Sequence, residues 1–251
     1  MEINTKKILL GIAIIFLIFL LGLGGISYML INNLMNNEDS AREGIAVINI
    51  SGPIIGGSGG DFLNQKQASS DQIMQQINRA KKNKKIKAMI LRVNSPGGSS
   101  AASDAIYQEL KKFKETGRPI VVSMGDMAAS GGYYISAAAN KIYANSATIT
   151  GSIGVIMKFN NLQELYNKVG VDSLVFKSGP YKDIGNPDRK MTATEKEILQ
   201  SIVNKIYNRF VKVVSTGRDM PKKKVQDIAD GRIYSGSQAK EVGLVDNLGT
   251  F

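Results

Sequence analysis

Ser130 stands in the run MAASGG, residues 127–132, a few positions past the apolar stretch 119–124. Two further glycine-rich turns follow apolar runs: NSPGG at 94–98, after 86–93, and TGSIG at 150–154. In parallel α/β sheets, ligands bind outside the carboxyl ends of the strands. Glycines at such ends let a substrate backbone come close and leave N–H donors free. A serine that opens a helix also gains from the helix dipole as negative charge develops on it. The N–H of Gly131, joined by a second donor from Gly97, would then form an oxyanion hole, worth about 3 kcal/mol per donor in the transition state. The competing reading of Ser130 is an ordinary helix N-cap.

A nucleophilic serine needs a base. The 251-residue chain has no histidine, which excludes a Ser-His-Asp triad and an imidazole zinc site. It has no cysteine, so disulfides and thiolate chemistry are excluded too. Lysine, Asp, Glu and Tyr remain as acids and bases. A lysine serves when burial favours its neutral amine. Most lysines here lie on charged helical faces. Lys182 lies instead in KSGPYKDIG, residues 177–185, beside an expected strand at 173–176. Its plain alternative is a solvated loop lysine.

Helices and strands must carry these turns. Residues 70–82 place Ile73, Ile77 and Ala80 at helical spacing, and 101–114 do the same with Ile106, Leu110 and Phe113. Strands are expected at 45–50, 86–93, 119–124 and 141–144, and helices at 131–140 and 162–169. A long amphipathic helix is expected at 192–216, opened by a Thr192/Glu195 capping box, with Ile198, Ile202, Ile206 and Phe210 as core positions. The alternation argues an α/β fold with a parallel sheet. Residues 56–60 form a glycine-rich loop without the Lys-Ser/Thr of a phosphate loop.

The N-terminal region differs. Residues 8–31 are apolar and uncharged, long enough to read as one transmembrane helix behind Lys6 and Lys7. The organisation expected is a cytoplasmic N-terminus at 1–7, an anchor at 8–31, a linker at 32–43 and an extracytoplasmic domain at 44–251. The net charge of +11 rests on lysine-rich runs without interleaved aromatics, and so argues for solvated faces or anionic lipid rather than nucleic acid.

Taken together, NSPGG, SMGDMAASGGYYIS, TGSIGV, FKSGPYKDI and DGRIYSGSQAKEVGLVD resemble the signal peptide peptidase A family over residues 45–248. The resemblance implies a crotonase/Clp protease-like fold of repeated β-β-α units in a superhelix, behind one N-terminal transmembrane helix. It implies a Ser–Lys dyad of Ser130 and Lys182, with Ser152 orienting the lysine. Oxyanion donors fall on Gly131 and Gly97, with Gly98 the alternative to Gly97. No metal or cofactor is implied. The implied partners are cleaved signal peptides, a lipid bilayer and further copies of the chain in a ring. The implied place is a bacterial cell membrane. Relatives continue beyond Phe251 into another helix. Two alternatives stay open: an inert membrane-anchored scaffold, and an acyl-CoA enzyme of the same fold.

Overall fold

The computed structural model describes residues 5–37, 43–57 and 67–251. The chain divides into two compact units, Met1–Gly44 and Ile45–Phe251.

The first unit holds helix α1, Thr5–Asn37. It takes in the start of the expected linker, whose residues 38–42 lie outside the described residues, as do 1–4. Among the described residues no helix is long and apolar enough to cross a membrane. The expected single-pass anchor, the cytoplasmic N-terminus with an extracytoplasmic catalytic domain, and the bilayer as partner are corrected on this ground.

The second unit is mixed α/β. Its elements are β1 (Gly44–Ser51), β2 (Ile54–Ile55), β3 (Ala68–Ser69), α2 (Ser70–Lys82), β4 (Ile86–Ser95), α3 (Ser100–Lys114), β5 (Ile120–Ala129), α4 (Gly131–Ser136), β6 (Lys141–Ala144), β7 (Ile149–Gly151), α5 (Gln163–Val169), α6 (Ala193–Gly217), α7 (Lys222–Ile228), β8 (Ile233–Ser235), α8 (Gly236–Glu241) and β9 (Asn247–Leu248). The main sheet runs β1-β4-β5-β6-β9, with β7 beside β5 and β8 beside β7. Strand β5 is its axis. It pairs in parallel with β4 along its length, with β6 through its first half and with β7 through its last residues. The β7–β8 pair is antiparallel. This mostly parallel sheet is consistent with a Clp protease-like fold.

Period-two burial in β4 sends Met89, Leu91, Val93 and Ser95 inward. Helix α2 buries Ile73, Ile77 and Ala80, and α3 buries Ile106, Leu110 and Phe113, as their spacing requires. Ser69 and Ser99 cap these helices through bonds to the N–H groups of Gln72 and Ala102. Helix α6 starts with the expected capping box. Its N-terminal half does not reach the core, however. Ile202 is 39% exposed, and the buried apolar side chains of α6 begin at Phe210, followed by Val211, Val213 and Val214. The expected strand at 173–176 is exposed irregular backbone, because no neighbouring strand offers it a ladder. The glycine-rich loop is described only at Gly56 and Gly57.

Candidate active site

The chain turns from β5 into α4 at Ser130. Its backbone sits at φ 51° and ψ −118°, a region L-residues rarely occupy. Such a conformation costs about 1–3 kcal/mol and persists only where the surroundings enforce it. Here two bonds hold it: the Ser130 N–H donates to the Gly151 carbonyl at 2.8 Å, and the Ser130 carbonyl accepts from the Tyr134 N–H at 2.8 Å. The hydroxyl makes no capping bond to α4. The N-cap alternative therefore fails, and the strained strand-to-helix turn leaves Oγ available, as a nucleophile requires.

The two expected oxyanion glycines on the β4–α3 turn differ. The Gly97 N–H donates to Ser95 Oγ at 3.1 Å in a buried bond. Gly98 and Gly131 both line the cavity beside Ser130, and neither N–H has an acceptor among the described residues. The turn is pinned by bonds from the Ile54 N–H to the Gly97 carbonyl at 2.7 Å and from the Ser99 N–H to the Ile54 carbonyl at 2.9 Å. Only glycine fits at 98, where a Cβ would lie 2.1 Å from the Ile54 oxygen. At Gly131 a Cβ would meet Ser103 Oγ at 2.5 Å and the Gly98 nitrogen at 3.3 Å. The small residues of both turns are there to let two backbones meet.

Ser152 is one residue past the Gly151 carbonyl that holds Ser130. It too has positive φ, 50°, and its N–H donates to the Arg232 carbonyl at 2.8 Å. The pairing of Ala129 with Gly151 thus brings the Ser130 and Ser152 turns together. Lys182 is not brought to them by any hydrogen bond. Its side chain is exposed, and its backbone N–H closes a turn onto the Gly179 carbonyl at 3.2 Å.

A cavity of about 340 Å³ opens at Ser130, within the range of ligand sites. Ala101, Tyr134, Val155, Ile206 and Phe210 give it apolar walls, and Lys205 is the lysine that lines it. Asp104 on its wall accepts from the Tyr134 hydroxyl at 2.5 Å and from Arg209 at 3.0 Å. Burial works to raise the Asp104 pKa, but these two donors outweigh it and hold the carboxyl below its ordinary value. Burial, reinforced by Asp104, pushes the Tyr134 hydroxyl upward. The sequence reading did not single out Asp104, Tyr134, Lys205 or Arg209 as site residues. The signal available was the polar face of α6, where Lys205 and Arg209 are four residues apart on one side of the helix.

The loop carrying Lys182 is tied down by charge. Asp183 accepts from Lys177 Nζ at 2.7 Å and from Arg189 Nε and Nη2 at 2.9 Å each. Arg189 also donates to buried Glu195, at 2.9 and 2.5 Å. Glu195 in turn accepts from the Thr192 N–H at 2.8 Å in the capping box. Arg189 first, then Lys177, holds the Asp183 carboxyl well below the usual range. Arg189 and the Thr192 backbone lower Glu195 to about 2. Both folded pKa values are below the unfolded ones, so the order they contribute is complete above about pH 4.5 and is lost as pH falls through the folded values. Hydrogen exchange should show protection factors over 177–195 dropping between about pH 4 and pH 2, before those of β4 and β5. Equal protection at both pH values would show that the carboxylates do not hold the loop.

A parallel sheet with a strained serine at the end of its central strand, faced by two unpaired N–H groups, defines a serine hydrolase. Comparison with known proteins narrows the class. The model of peptidase family S49 matches residues 112–251, and that of Clp protease matches 62–150. A Synechocystis protein provisionally named a protease is 44% identical over 85% of this chain and 72% of its own. An Enterococcus faecium protein provisionally named signal peptide peptidase SppA is 39% identical over 84% of this chain and 62% of its own. Protease 4 of Haemophilus influenzae is 38% identical over 82% of this chain, which spans a third of the relative's length, 33%. The chain belongs to peptidase family S49 and is a serine protease.

Proposed function

We propose that this chain is a serine endopeptidase acting on apolar peptides, remnant signal peptides among them, through a Ser130–Lys182 dyad. The observation that carries the reading is the Ser130 turn: positive φ, an uncommitted hydroxyl and two unpaired glycine N–H groups beside it. Lys182, as free amine, takes the Ser130 proton as Oγ attacks the scissile carbonyl. The Gly131 and Gly98 N–H groups hold the oxyanion, with Gly98 replacing the expected Gly97 because the latter's donor is committed to Ser95. The ammonium of Lys182 then protonates the leaving amine, and water releases the acyl group from Ser130. Ser152 orients the lysine amine.

Lys182 is exposed, and its arm carries exposed apolar side chains, Leu174 at 83% and Phe176 at 88%. Such a surface fits packing against a second copy. In this reading the copies form a ring in which Lys182 reaches the Ser130 of its neighbour. The β-β-α repeat of a crotonase-like superhelix supplies the framework. A second reading gives the base to Lys205, because Lys205 lines the Ser130 cavity.

The test is cleavage of a fluorogenic peptide with an apolar stretch. Wild type should cleave it at a rate rising with pH, since a lysine base works only unprotonated. Ser130→Ala should be inert. Cleavage by Ser130→Ala at the wild-type rate would refute the nucleophile, and an inert wild type that also escapes serine-directed probes would make the chain a scaffold.

A further inference from the structure

The ion network under the Lys182 loop has a geometry that a surface salt bridge does not need. Isolated exposed pairs contribute little, about 0–1 kcal/mol, and seldom fix a backbone. Here one guanidinium grips two carboxylates, each through two of its oxygens. Its partners are the residue next to Lys182 and the N3 residue of α6, and Glu195 is 1% exposed. Arg189 therefore joins the loop to the first turn of a 25-residue helix whose far half is in the core. The other backbone bonds of the loop are the short turns Lys182 to Gly179, Ile184 to Tyr181 and Asn186 to Asp183, and two longer-range bonds reach its far end: the Leu162 N–H donates to the Pro187 carbonyl at 2.8 Å and Asn161 Nδ2 to the Arg189 carbonyl at 3.1 Å. The turns set local shape, and the longer bonds tie 187–189 to residues 161–162 and not to α6.

We propose that Arg189 is a positioning residue for the catalytic lysine: by clamping Asp183 to Glu195 it ties the loop that carries Lys182 to the body of its own chain, and so fixes where the amine stands relative to the Ser130 it serves in the neighbouring copy. This rests on the Ser130–Lys182 reading. The fork matters as well as the charge. A lysine at 189 could pair with one carboxylate but could not grip two at once. The clamp also has an electrostatic consequence. Lys177 and Arg189 are the cations facing Asp183, and Arg189 and the Thr192 backbone are the donors facing Glu195. Without Arg189, the Asp183 carboxylate keeps Lys177 as its cation partner and Glu195 keeps the Thr192 donors.

The experiment compares wild type, Arg189→Ala, Arg189→Lys and Lys182→Ala as full chains. It reads peptide-cleavage kinetics against pH and the rate at which a fluorophosphonate labels Ser130. For Arg189→Ala, kcat should fall about 30-fold with KM within about twofold of wild type, as misplacement of a catalytic group affects the transition state more than binding. Labelling should slow in parallel with kcat. Arg189→Lys should recover only a small part of the loss. An Arg189→Ala enzyme with wild-type kcat and labelling rate would overturn the proposal, as would full rescue by Arg189→Lys. If Lys182→Ala labels and cleaves as fast as wild type, the dyad reading fails first, and the clamp's role in catalysis falls with it. A merely structural clamp would lower the melting temperature and leave kcat and the labelling rate of the folded fraction at their wild-type values.

Discussion

Lys182→Ala should lower kcat/KM on an apolar peptide by about four orders of magnitude, the upper end of what a positioned general base contributes. The loss should appear in kcat, because the lysine acts on the proton in flight and not on substrate binding. The fold should be untouched: Lys182 is exposed and offers no side-chain bond to any of the described residues. Its melting temperature should match that of wild type. If the amine is supplied by a neighbouring copy, mixing inactive Lys182→Ala with inactive Ser130→Ala should restore measurable cleavage, since mixed rings contain sites with both groups intact. If Lys205 is the base, Lys182→Ala should stay fully active and Lys205→Ala should lose the activity instead.

Gly98→Ala should be the most damaging methyl group that can be added to the site. The new Cβ would lie 2.1 Å from the Ile54 carbonyl oxygen and 2.8 Å from its nitrogen, both backbone atoms that cannot swing aside. The turn must move away from Ile54 and carry its N–H out of register with Gly131. Loss of one oxyanion donor lowers kcat by about 10²–10³, and overpacking adds about 1–3 kcal/mol of destabilisation. Steady-state kinetics and thermal unfolding of the same preparation separate the two effects. Gly56→Ala is the matched control, because a Cβ there meets nothing within 4 Å. Equal kcat for Gly98→Ala and Gly56→Ala would remove Gly98 from the oxyanion hole.

Local signals in the sequence were reliable where packing is also local. The spacing of Ile73, Ile77 and Ala80 and the Thr192/Glu195 pair became a buried face and a capping box because a helix and its first turn carry their own partners. The same periodicity misplaced Ile198, Ile202 and Ile206. A 3.6-residue repeat tells which side of a helix is apolar, not whether anything covers it, and in α6 the apolar side chains are fully buried only from Phe210 on. The β-rich run at 173–176 failed for the converse reason, since a strand exists only with a partner. Residues 127–129 read as a turn for their small side chains, yet they end β5, because Ile149–Gly151 lies alongside to pair with them.

At the site, Ser130 was legible from its glycine neighbours, but its freedom from capping was not, since a backbone at φ 51° is enforced by the Gly151 carbonyl, more than twenty residues away in sequence. Gly97 and Gly98 look alike as letters, and only the Ser95 hydroxyl decides which N–H is left over. The Arg189 clamp had no periodic signature: its two carboxylates are six residues away on either side, and a loop rather than a helix brings them together.

The most direct test of the Ser130–Lys182 mechanism is intact-protein mass spectrometry after timed exposure to a fluorophosphonate, wild type beside Lys182→Ala. The mechanism predicts one adduct in wild type, mapped to Ser130, and labelling of the variant slower by at least about 100-fold. Equal labelling rates, or an adduct on a serine other than Ser130, would contradict it.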